Sequence, residues 1–81
     1  MPERIELMLR PKSDAKPLDL ETARRIGRVA LAETVELESG TVIFGFALPA
    51  QQIDTVRGNV EMAARFELGA HWHTRYELVS R

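Results

Sequence analysis

His71 and His73 are the two histidines of the chain, separated by a single residue. On an extended strand that spacing puts both imidazoles on one face, about 7 Å apart. A third ligand from Glu61, Glu67 or Glu77 would then complete a zinc or iron site. A solvated sheet face, with each histidine beside a glutamate, has the same spacing, so a metal centre depends on that third ligand. Arg24, Arg25 and Arg28 form a second cluster, suited to a phosphate or an acidic protein surface. Its plainer counterpart is a solvated helix face with an arginine paired to Glu21. No glycine-rich phosphate loop is present, and Ser13, Ser39 and Ser80 cannot be placed in a triad. With no cysteine, thiolate catalysis, thiolate zinc and disulfides are all excluded. These residues call for no cofactor, and they leave an enzyme unsupported.

Two short stretches carry resemblances. Phe44-Gly45-Phe46-Ala47 resembles the third-strand core of RNA-recognition motifs, where alternate aromatics stack on bases. The first strand has no matching aromatic and no basic residue lies between Val42 and Ala50, so Phe44 and Phe46 are expected in the core. Nucleic acid is not the expected partner. Met1-Pro2, opening toward a strand, is similar to tautomerases that use an amino-terminal proline amine as a base. Here Glu3-Arg4 intervene before the strand, and that family's polar partners have no counterpart.

The elements that would position these residues follow from periodicity. Ile5, Leu7 and Leu9 alternate with Arg4, Glu6 and Arg10, the pattern of a half-buried strand ending at Pro11. The polar, proline-bounded stretch 11–17 reads as a loop. Asp19 is placed to cap a helix spanning about 18–33, with Ile26 and Ala30 on its inner face and the three arginines on another. Val35 to Glu38, then Ser39-Gly40, then Thr41 to Leu48 predict a β-hairpin. Pro49 suits the start of a short second helix over about 50–57.

From Val60 to Leu78 every even position is apolar or neutral, which favours strands bent near Gly69-Ala70. Phe66, Trp72 and Tyr76 then join Phe44 and Phe46 in the core. The competing pattern extends one helix from Ala50 to Leu68, because Glu61 to Leu68 has strong helix propensity and Gly69 is a good stop. It would give a βαββαβ ferredoxin-like sandwich. Gly58-Asn59 would then stand mid-helix, and Met62 and Phe66 would lie opposite the Ile53-Val56-Val60 face. The alternation is the favoured reading: an α+β domain with an antiparallel sheet of four or five strands, one long helix on one face and a short second helix.

At 81 residues, one domain spans 1–81. A core this small leaves stability thin, so self-association or a partner becomes the expected supplement. Eleven basic against twelve acidic residues give no field that draws the chain to nucleic acid or anionic lipid. The apolar run Val42 to Leu48 is too short to span a bilayer, and the start lacks a signal-peptide pattern. A cytoplasmic protein with no membrane contact is expected. Nine of the eleven basic residues are arginine, a composition associated with high-GC bacterial genomes.

Phe44-Gly45, Leu48 and Ala50, followed after a short helical segment by Phe66, Leu68 and Trp72 in alternation, resemble a family of small domains that co-occur with trypsin-like proteases in bacterial conflict systems. The resemblance covers about a third of the chain. It implies a non-enzymatic adaptor or accessory domain in a defence-type system and brings no catalytic residue. The residues themselves point to a non-catalytic interaction module, self-associating or docking on a larger protein. Its expected surfaces are the open sheet face, with Met8, Ile43, Gly45 and Ala47, or the Arg24, Arg25 and Arg28 helix. The alternative is a small oligomeric enzyme or metal-binding protein using His71 and His73.

Overall fold

The computed structural model describes residues 3–81; Pro2, and with it the proline-amine reading, lies outside the described residues. The chain runs β1 (Ile5–Pro11), α1 (Leu20–Ala30), β2 (Thr34–Glu38), β3 (Thr41–Phe46), α2 (Ile53–Leu68) and β4 (Tyr76–Ser80). Single 3-10 turns precede α2 at Ala50–Gln52 and β4 at Trp72–Thr74. The four strands form one antiparallel sheet in the order β2-β3-β1-β4. This is the βαββαβ ferredoxin-like arrangement within the expected α+β class.

Each element has a local cause. In β1, Ile5, Leu7 and Leu9 are buried and sit opposite Phe46, Phe44 and Val42 of β3. These pairs make the sheet's inner face. Ser39 and Gly40 both take positive φ, 51° and 83°, in the two-residue β2-β3 turn. That geometry matches the right-handed twist of the paired strands.

Helix α1 begins at Asp19, whose carboxylate accepts from the Thr22 amide at 2.7 Å. It ends with Leu31 in the left-handed region and the Ala32 amide donating to the Gly27 carbonyl, a Schellman-type stop. Bonds from the Thr22 backbone, then from its hydroxyl, hold the Asp19 carboxyl below the usual carboxylate value. Because the folded value is depressed, the cap's contribution is present above the unfolded pKa of about 3.9 and is lost as pH falls through the folded one. Thermal melts between neutral and acid pH should therefore show a flatter acid limb for Asp19→Asn, which caps without titrating. Identical limbs would remove Asp19 from the acid response.

The second helix corrects the favoured alternation reading. Residues 60–68 are helical, and α2 runs to Leu68 instead of ending near 57. Val56, Val60, Ala63 and Ala64 are buried on its inner stripe. Gly58 and Asn59 stand on the exposed side, where a Cβ at Gly58 meets nothing within 4 Å. A mid-helix glycine there costs only its propensity, about 1 kcal/mol, which the buried stripe outweighs. Met62 and Phe66 face outward, 69% and 78% exposed, so Phe66 leaves the expected core. Helix α1 is likewise shorter at both ends than the expected 18–33.

Both helices cover the same sheet face. Ala23, Ile26 and Ala30 of α1 and the α2 stripe close over Leu7, Leu9, Val42 and Phe44. Trp72 and Tyr76 join this core, and the Tyr76 hydroxyl donates to the Lys16 carbonyl at 2.7 Å, tying the 12–17 loop to β4. Between the helices, Arg25 of α1 donates to Glu67 of α2 at 2.9 Å.

Candidate interaction surface

The sheet's outer face holds the strip anticipated around Met8, Ile43, Gly45 and Ala47, in altered form. Met8 and Glu36 flank Ile43 from the adjacent strands, and Ile43 is only 4% exposed. Arg4 reaches across Gly45 to donate to the Thr34 hydroxyl. A Cβ at Gly45 would fall 2.1 Å from that guanidinium and 2.3 Å from Thr34 Oγ1. Gly45 is thus the floor of a polar bridge and offers no apolar contact. Ala47 lies beyond the end of β3 and is exposed. Around the strip, Arg10 pairs with Glu77, and Glu6 lies between Arg4 at 3.5 Å and Arg81 at 3.7 Å. Ionic side chains therefore frame this face.

Of the three arginines of α1, Arg25 is engaged with Glu67 and, at 3.4 Å, with Glu21. Arg24 and Arg28 are exposed and have no carboxylate within salt-bridge distance among the described residues. The arginine cluster is therefore split between an interhelix tie and two solvated cations.

His71 and His73 do not lie on a strand. His71 precedes and His73 belongs to the 3-10 turn Trp72–Thr74, and β4 begins only at Tyr76. The turn buries Trp72 and leaves both histidines exposed, with the His73 ring edge-on to the indole at 6.1 Å between centroids. The turn is held by Lys12 Nζ donating to the His73 carbonyl at 2.8 Å and by Thr74 Oγ1 donating to the His71 carbonyl at 2.8 Å. Among the described residues, no three side chains of His, Cys, Asp or Glu come together as metal ligands.

Large apolar groups meet water singly at the α1 C-cap residue Leu31, at Leu37 of β2 and at Leu48, and as a neighbouring pair on the outer side of α2. Met62 and Phe66 are four residues apart on α2, hence neighbours one turn apart. Val29, 48% exposed, lies one turn beyond Arg25 on the flank by which Arg25 reaches α2. On the other side of Met62, an open groove of about 720 Å³ runs between α2 and the turn, lined by Glu61, Met62, Arg65, Ala70, Trp72 and His73. The strand reading places Phe66 in the core, whereas on α2 it stands exposed beside Met62. The signal for their exposure was the Val56, Val60, Ala63 and Ala64 stripe, which leaves positions 62 and 66 on the opposite side of a helix.

Among the described residues, no helix is long and apolar enough to cross a membrane. No family model, curated protein or solved structure matches the chain.

Proposed function

We propose that this domain is a non-catalytic protein-interaction module that works through the outer face of its helical layer. The observation that carries this reading is the pair Met62 and Phe66, 69% and 78% exposed and side by side on a regular helix. Single exposed apolar residues are ordinary on any surface. Two large ones in contact range beside an open groove make a contiguous patch, the feature that distinguishes binding surfaces. Phenylalanine and methionine are also among the residues enriched at interface centres. An accessory role in a bacterial defence-type system is part of this proposal and rests on the match at Phe44-Gly45, Leu48 and Ala50, since Phe66, Leu68 and Trp72 lie on α2 and a 3-10 turn and not in an alternating strand. The partner is a second copy or a larger protein.

Crosslinking and copurification of the tagged chain against a Phe66→Glu variant test the reading. The variant should keep its circular dichroism spectrum and lose the bound species. A wild-type chain that is monomeric and retrieves nothing beyond what Phe66→Glu retrieves ends the proposal.

A further inference from the structure

The geometry points to a second copy of this chain as the occupant of the α2 face, in a two-fold dimer with the α2 helices antiparallel. The inference rests on the interaction role proposed above and narrows its partner. The outer face of α2 is self-complementary within a little more than one helical turn. In an antiparallel pair related by a two-fold axis near residues 63–64, each flank of a helix meets the same flank of its mate, reversed in direction. Met62 then packs on Phe66 of the second copy, and Phe66 on its Met62. Glu61 and Arg65 lie together on the other flank, beside the groove. Neither has a salt-bridge partner among the described residues. The same operation brings Glu61 against Arg65 of the second copy, twice. Opposite charges face one another in this register and like charges do not.

The sheet edges are poorer surfaces for self-pairing. Two β2 strands paired antiparallel would bring Glu36 and Glu38 of both copies onto one face, a like-charge arrangement that discourages edge pairing. At the β4 edge, the Arg57 guanidinium already donates to the Leu78 carbonyl at 3.2 Å. The helical face is long enough: α2 has 16 residues and so spans about 24 Å. A standard interface takes about 800 Å² from each partner, about a seventh of the 5321 Å² surface of this chain. Val29 and the outward side of α1 extend the patch beside α2.

Sedimentation velocity of the full chain, from micromolar to millimolar concentration, reads the association directly. Glu61→Arg and Arg65→Glu each place like charges across the two-fold and should weaken the dimer at least tenfold at low salt. All these side chains are exposed, and circular dichroism controls for folding. An equimolar mixture of the two single variants restores both opposite-charge contacts and should dimerise where each variant alone does not. A wild-type chain that stays monomeric at millimolar concentration overturns the inference, as do single variants that associate like the wild type. A monomer that still retrieves a different protein through Phe66 would overturn the dimer and leave the interaction role standing. A monomer that retrieves nothing would remove both.

Discussion

Phe44→Ala is expected to lower stability by about 3–5 kcal/mol, the usual cost of deleting a buried phenyl ring, whereas Phe66→Ala should change it by about 0.5 kcal/mol or less. Phe44 is fully buried at the centre of the sheet, opposite Leu7 and Val35 on the adjacent strands. Phe66 projects from α2 into solvent. A domain of this length has a total stability of about 4–12 kcal/mol, so losing Phe44 removes a large share of it. At about 4–8 °C per kcal/mol, the melting temperature should fall by more than about 12 °C. Thermal or urea melts of the two variants, at concentrations where the wild-type chain is monomeric so that no dimer contact of Phe66 enters, provide the measurement. The comparison also tests the fold, because a strand over 60–68 would put Phe66 in the core. Comparable losses for both variants would be incompatible with the α2 helix.

The two phenylalanines also mark how far the sequence could be read. The first strand, the Asp19 cap and the Ser39-Gly40 hairpin each follow from a local signal that no competing pattern shares. Residues 60–68 carry two patterns at once. Val56, Val60, Ala64 and Leu68 are spaced by four, so they satisfy both a period of two and a helical stripe. Ala63 breaks the tie, being odd-numbered and fully buried. A small residue at an odd position reads as a lapse in alternation, but on a helix it allows close packing. Beyond Gly69, Trp72 and Tyr76 are buried as the alternation implied, yet a 3-10 turn stands where the strand was expected. That turn separates the histidines from the extended geometry on which their pairing depended.

The candidate surface was legible to the same degree. The Arg24 to Arg28 cluster was visible from helical spacing, but its division was not, since Arg25 is drawn to Glu67 by the packing of two helices distant in sequence. Alternation along the strand places Ile43 on the outer face of the sheet, where it does lie. Its burial depends on cross-strand neighbours, Met8 and Glu36, which only the register supplies.

The placement of α1, and with it the Arg25–Glu67 tie and the position of Val29, depends on a glycine. Gly27 lies in the helix with no positive φ, so it is there for space and not for backbone freedom. A Cβ at this position would fall 2.3 Å from Val35 Cγ2, with Phe44 Cδ1 at 3.5 Å and Ala32 Cβ at 3.6 Å. Glycine to alanine in an unobstructed helix gains about 1 kcal/mol. Here the overpacking cost of about 1–3 kcal/mol opposes that gain, and at 2.3 Å the methyl cannot be accommodated unless Val35 or the helix shifts. Gly27→Ala should therefore be destabilising overall. Val35→Ala removes the obstructing methyl, so the double variant should lose about 1–3 kcal/mol less than the two single losses added together. Urea melts of the four proteins give the cycle. Additive losses, or a Gly27→Ala variant more stable than the wild type, would mean that α1 does not pack against β2 at this point. A coupling of the expected sign would show that the glycine sets the depth of the helix on the sheet, and so the level at which the outer face of the helical layer is presented.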